Sequence, residues 1–185
     1  MNKLILQTER TDLCVQNEEV INLVFNYYNE NRIHLSPWEP VRDVNYYEKE
    51  QILLRLKEAL ISFEKGSSVQ LVALNKEHNE IIGICNYSNI IRGPFQACFL
   101  GYSVASDYEG QGYMFEILSQ ANEHMFREIR IHRIMANYIS SNKRSGRLLN
   151  RLGFEEEGLA RSYLKINGKW EDHILTALTN KEHTF

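Results

Sequence analysis

The strongest constraint on the fold is an order of segments. Three strand-like stretches, Val69 to Asn75, Ile81 to Ile91 and Phe95 to Ala105, follow one another and run into a glycine-containing turn that opens a helix. The spacers Lys76-Glu77-His78-Asn79 and Arg92-Gly93-Pro94 are short and polar or turn-forming, which predicts an antiparallel meander. The helix beyond the turn shows a buried face at Met114, Leu118, Ala121, Met125 and Ile129. Backbone N–H groups in the first turn of such a helix lack internal partners and carry its positive end, so they can cradle a pyrophosphate. Gly110 and Gly112 would let phosphate approach the backbone where a Cβ would block it. A lone Gly-x-Gly also reads as an ordinary turn. A dinucleotide-binding fold is excluded, because it needs a fuller glycine fingerprint at the first βα turn and an alternating β-α order.

The remaining segments complete a β-α-α-β-β-β-α-β-α-β-β order. Leu4 to Thr8 and Asp12 to Gln16 read as strand, and Glu18 to Arg32 and Asn45 to Glu64 as helices. Leu35 to Pro40 between them reads as a loop because of its two prolines. Arg133 to Ile139 reads as a short strand. Asn142 then caps a helix bearing Leu148, Leu149 and Leu152, with Gly153 as its stop. Phe154 to Ile166 and Lys169 to Leu178 form a last hairpin through Asn167-Gly168. The expectation is one α/β (α+β) domain over residues 1–185, with a mixed, mostly antiparallel sheet of about seven strands.

Composition narrows the class. The chain has 185 residues, 43% of them hydrophobic, enough for one sizeable core but short for two. A net charge of -3 without a basic run gives no long-range grip on nucleic acid. Cys14, Cys85 and Cys98 are odd in number and sit in apolar stretches, against a disulfide framework or a metal cluster. Met1-Asn2-Lys3 leads into a strand without an apolar signal core, and no run of about 18 apolar residues exists. A soluble cytoplasmic protein is expected.

The strand–Gly-x-Gly–helix junction Gly101 to Met114 and the element order resemble the GNAT acetyltransferase superfamily. Over essentially its full length the chain is similar to the ribosomal-protein alanine N-acetyltransferases of the RimJ/RimL type. The residues that carry the resemblance are Leu35-Ser36-Pro37-Trp38-Glu39-Pro40, the junction, and His132 to Tyr138 with Asn142-Lys143-Arg144-Ser145-Gly146. Arg151-Leu152-Gly153-Phe154, Glu157-Gly158 and Asn167 to His173 add to it. One position departs: Asp107 stands where the family's phosphate motif carries Arg or Gln, and it is expected to point to solvent.

The resemblance implies acetyl-CoA as co-substrate, no metal, and direct attack of an amine in a ternary complex. It implies strands four and five splayed around the pantetheine arm, with Tyr102, Ser103 and Val104 offering backbone bonds. Glu109, Gly110, Gln111, Gly112, Tyr113 and Met114 would bind the phosphates, and Asn142 and Ser145 would complete the cofactor site. Ser145 would also donate to the departing thiolate; the alternative for Ser145 is a helix-start residue satisfying backbone donors. The general base is unassigned, since RimL-type chains carry a glutamate where Leu164 stands. The implied acceptor is the N-terminal α-amine of a ribosomal protein. Its reference pKa near 8, against about 10.4 for lysine, makes it about 3 kcal/mol easier to deprotonate. Trp38 is assigned to acceptor contact, because the resemblance implies that this loop lies beside the acceptor groove and a tryptophan in a proline-bounded loop is costly to expose. A homodimer is admitted by the same resemblance.

The bland readings concern Cys98 as core, Glu155-Glu156-Glu157 as a solvated start of a strand, and His132 and His173 as lacking the paired spacing of a metal site. Two alternatives stay open: acetylation of a small amine or another N-terminus, and a ribosome-assembly factor that keeps the fold without the activity.

Overall fold

In the segment Val69–Leu74 (β3), successive residues turn to opposite faces of the sheet, and both faces are covered. Leu71 and Ala73 join one apolar cluster, Val72 and Leu74 the other. The computed structural model describes residues 4–181; residues 1–3 and 182–185, the two ends of the expected domain, lie outside the described residues.

The strands are β1 (Leu4–Gln7), β2 (Asp12–Val15), β3, β4 (Ile81–Ile91), β5 (Ala97–Val104), β6 (Arg133–Met135), β7 (Tyr138–Ile139), β8 (Glu155–Ile166) and β9 (Lys169–Thr179). The helices are α1 (Ile21–Leu35), α2 (Lys49–Glu64), α3 (Tyr113–Arg127) and α4 (Lys143–Arg151). β1 to β5 form an antiparallel meander, as expected. β6 then lies parallel to β5, after a crossover through α3. β9 pairs antiparallel with β6 and β7 on one edge and with β8 on the other.

Among the described residues, nine strands stand where about seven were expected, for two local reasons. Leu4 to Thr8 and Asp12 to Gln16, counted together in the expected order, form a hairpin of two strands, closed where the Thr8 amide donates to the Thr11 carbonyl at 2.8 Å. The Arg133 to Ile139 strand breaks because the Asn137 side chain, rather than a backbone carbonyl, accepts from the Thr176 amide at 3.2 Å. The expected loop at residues 35–40 is also tighter: α1 runs through Leu35, and Ser36–Trp38 forms a 3-10 turn with proline in its first turn. Proline is tolerated there because that N–H has no helical partner to lose.

Two layers of helix enclose the sheet. Val24, Tyr27 and Leu35 of α1 and Ile52 and Leu56 of α2 cover Cys14, Val72, Leu74 and Ile84. Met114, Ile117, Leu118, Ala121 and Met125 of α3, with Leu149 of α4, cover Leu13, Leu71, Cys85 and Tyr87. Cys98 is fully buried, and burial pushes its thiol up to about 12, so it is a core residue. No helix among the described residues is long and apolar enough to cross a membrane.

The strands expected as four and five are β5 and β6. Their pairing ends at Phe99 opposite Met135, while β5 continues to Val104. Beyond Phe99 this edge of β5 has no strand partner among the described residues, which is the expected splay.

Candidate active site

The free edge of β5 offers the backbone of Tyr102, Ser103 and Val104, whose other edge is held by Cys85, Ile84 and Gly83 of β4. Alternation sends the Tyr102 and Ser103 side chains to opposite faces. Tyr102 meets α4: its hydroxyl lies 2.6 Å from Ser145 Oγ. Ser103 meets α1: its Oγ lies 2.8 Å from the Tyr27 hydroxyl. Burial drives the Tyr102 phenol up to about 12, so it stays protonated and neutral at physiological pH.

Asn142 is the N-cap of α4, its Oδ1 accepting from the Ser145 amide at 3.1 Å. The cap satisfies the backbone donor, so the Ser145 hydroxyl is left for Tyr102. A serine that served only as the cap would have its oxygen on a backbone amide instead.

The turn ahead of α3 is built as a phosphate cradle requires. Gly110 and Gly112 have φ of +75° and +84°, the left-handed region that favours glycine, and Gly112 is the N-cap of α3 without any side-chain cap bond. A Cβ at Gly110 would meet no atom within 4 Å. The backbone at Gly110, just ahead of the N-terminus of α3, is therefore open to a ligand. Asp107 is exposed, as expected, and its carboxylate accepts from Ser106 Oγ at 3.2 Å. The Gln111 side chain turns back to the Asp107 carbonyl at 2.5 Å, and the Glu109 carboxylate pairs with Arg144 of α4. That ion pair joins the turn to the start of α4. Tyr113 packs edge-on against Tyr108, with centroids 5.2 Å apart, and Met114 is buried in the core.

Sequence reasoning missed Arg10. Its guanidinium lies 3.9 Å from the Tyr113 ring centroid, donates to the Gln111 carbonyl at 3.1 Å, and pairs with Glu116 at 2.6 Å. It braces the turn from a segment 101 residues away, and the run Glu9-Arg10-Thr11 carries no signal of that role. Tyr27 was missed for the same reason.

Trp38 is 41% exposed beside the β8–β9 hairpin. The adjoining Glu39 carbonyl accepts from the Asn167 amide at 2.9 Å, and Val41 lies beside Gly168. The Trp38 turn and the hairpin thus form one wall. Leu164 sits opposite Glu171 in that hairpin and is 47% exposed. Glu155 to Glu157 are exposed, with Glu157 paired to Arg133. No group of three or more His, Cys, Asp or Glu residues that could hold a metal occurs among the described residues.

A sheet edge left free beyond Phe99, a hydroxyl pair joining it to α4 and a left-handed glycine turn opening α3 are features that an acyltransferase site on a coenzyme A-binding fold calls for. The GNAT acetyltransferase domain matches residues 15–155, and the chain belongs to the GNAT acetyltransferase family. It is 45% identical over 182 residues to the [ribosomal protein uS5]-alanine N-acetyltransferase of Escherichia coli (strain K12), covering 98% of this chain and 94% of that one. The ribosomal-protein-S5-alanine acetyltransferase of Vibrio fischeri is 38% identical and superposes with a TM-score of 0.92 over 96% of this chain and 97% of that one. RimJ of Mycobacterium smegmatis, solved in complex with CoA-disulfide, is 26% identical with a TM-score of 0.87, over 93% of this chain and 83% of that one.

Proposed function

We propose that this protein transfers acetyl from acetyl-CoA to the N-terminal α-amine of a ribosomal protein, with alanine as the first residue. The observation that carries the reading is the parting of β5 from β6 beyond Phe99 and Met135, supported by the Tyr102–Ser145 bond from the free end of β5 to α4 and by the left-handed turn at Gly110 and Gly112. The relatives named above support the choice of acceptor.

In this reading the backbone amides from Glu109 to Met114 hold the pyrophosphate, and the free edge of Tyr102 to Val104 holds the pantetheine arm. An amide of that edge polarises the thioester carbonyl. The neutral amine attacks the carbonyl carbon, and the carbon–sulfur bond breaks with its electron pair on sulfur. The Ser145 hydroxyl donates to the departing thiolate, and Tyr102 keeps that hydroxyl oriented. Trp38 and the Asn167-Gly168 hairpin line the acceptor side and leave room for a small first residue. A cytoplasmic location fits an acceptor of this kind.

The test uses peptides that begin with alanine or serine, carry one internal lysine, and have a free or a blocked first amine. Mass spectrometry should find acetylation only when the α-amine is free. Efficient acetylation of the lysine in a blocked peptide would move the acceptor to a side-chain or small amine.

A further inference from the structure

The α1 and α2 side of the site holds a carboxylate that no step above uses. Glu39 follows Trp38 in the acceptor wall and is half-buried, with its backbone carbonyl fixed to Asn167 of the hairpin. Among the described residues, no hydrogen bond or ion pair engages its carboxylate.

The charged and titratable groups that face Glu39 come from three directions. Tyr27 and Tyr28 of α1 feel its charge, Arg42 approaches from its own loop, and Arg55 from α2. Both guanidiniums stack on Tyr46, at 4.4 Å and 3.8 Å from the ring centroid, and Arg55 donates to the Tyr46 carbonyl at 2.8 Å. The Arg42 Nε and one Arg55 terminal nitrogen are buried without a hydrogen-bond partner. Held by stacking, the two cations stay near Glu39 without neutralising it in a direct pair. Tyr27 connects this cluster to the chemistry, because its hydroxyl bonds Ser103 on the free end of β5.

We propose that Glu39 is the general base of the reaction: it binds the incoming α-ammonium and removes one proton before attack. This rests on the α-amine reading above. The carboxylate becomes a carboxylic acid and the ammonium a neutral amine, whose lone pair forms the carbon–nitrogen bond. After attack the nitrogen loses a second proton to the Ser145 hydroxyl as that hydroxyl gives its own to sulfur. Glu39 then returns its proton to water, so one amide, one thiol and one proton leave.

The surroundings suit that task. Burial pushes the Glu39 carboxyl above its ordinary value, against the pull of Arg42 and Arg55, which moves it toward the working pH of a base. The same two cations disfavour an ammonium beside them and so lower the amine's own affinity for its proton.

The experiment compares the wild type with Glu39→Gln and Glu39→Asp on a free alanine peptide from pH 6 to 9.5, with acetyl-CoA affinity measured by calorimetry. Glu39→Gln should lose roughly a hundredfold in kcat at pH 7, and the deficit should shrink as pH rises and the amine deprotonates unaided. Acetyl-CoA affinity should be unchanged. Glu39→Asp, which keeps the charge, should retain part of the rate and the wild-type shape of the pH profile; it also serves if the glutamine variant fails to fold. A wild-type kcat in Glu39→Gln, a deficit constant across pH, or an aspartate variant as inactive as glutamine at every pH would overturn the assignment. A wild type that acetylates no free α-amine would instead overturn the acceptor reading and take this inference with it.

Discussion

The Tyr102 and Ser145 hydroxyls share a hydrogen bond of 2.6 Å although the residues lie 43 positions apart. One hydroxyl comes from the free end of β5 and the other from the first turn of α4, so the bond ties that helix to the strand edge left free where the sheet parts. Removing the Ser145 hydroxyl should lower kcat by roughly ten- to a hundredfold with little change in acceptor KM. Tyr102→Phe should cost less, because it only releases Ser145 from one orientation. The double variant should be no slower than Ser145→Ala alone. Additive losses, in assays where acetyl transfer limits the rate, would mean that Tyr102 acts independently of Ser145.

Gly110 gives a cleaner probe of the phosphate turn than Gly112. A Cβ at Gly110 meets no protein atom within 4 Å, whereas one at Gly112 lies 3.6 Å from an Arg10 nitrogen. Gly110→Ala should cost about 1 kcal/mol of stability from its left-handed backbone. Its affinity for acetyl-CoA should fall by about tenfold or more, since the new methyl would occupy the phosphate approach. Calorimetry with acetyl-CoA, beside a thermal melt, separates the two effects; unchanged affinity would remove phosphate from this turn.

Gly146 follows Ser145 in α4, and a Cβ there would stand 2.7 Å from the Tyr138 hydroxyl oxygen and 2.8 Å from its ring. Gly146→Ala should therefore shift either Tyr138 or the start of α4. The expected result is a lower kcat with acetyl-CoA affinity less affected, because the Ser145 hydroxyl moves while the α3 turn stays. A kcat equal to wild type would mean that Tyr138 alone yields.

Asp12 clasps the β1–β2 turn to the β3–β4 turn, with Lys76 Nζ at 2.7 Å and His78 Nε2 at 2.6 Å. Burial opposes its charge, but the hydrogen bonds from Lys76 and His78 win and hold the carboxyl below its ordinary value. A depressed folded-state pKa means that the stabilisation is complete above the unfolded value near 3.9 and is lost as pH falls through the lower folded value. Asp12→Asn should cost about 1.5 to 3 kcal/mol at pH 7. Chemical denaturation should show the two proteins converging below pH 4. A gap that does not narrow as pH falls below 4 would place its origin in shape rather than charge.

Much of the fold was legible because its signals are local. The alternation of Val69 to Asn75, the three- and four-residue spacing after Met114, and the turn chemistry of Asn167-Gly168 each depend on neighbours in the chain. The hairpin turn residues have φ of +45° and +80°, as that dipeptide favours. The Asn142 cap reaches only three residues ahead. The break after Thr8 was legible in the polar run Glu9-Arg10-Thr11, whereas the one at Ala136 escaped because it is fixed by a hydrogen bond whose competitor, a continuous strand, has the same composition.

What the sequence alone determined, then, was the order of elements and the backbone turn at Gly110 to Gly112, together with the capped start of α4. Tertiary structure decided which side chains converge on the parted sheet. Arg10 reaches the α3 turn across 101 residues. Tyr27 reaches Ser103 across 76, and Glu39 shares a cluster with α1 and α2. The physical reason is that propensity and periodicity act through neighbours in the chain. Contacts such as Arg10 to Gln111 and Tyr27 to Ser103 act through distance in space, which exists only once the sheet has formed and the helices have closed over both faces.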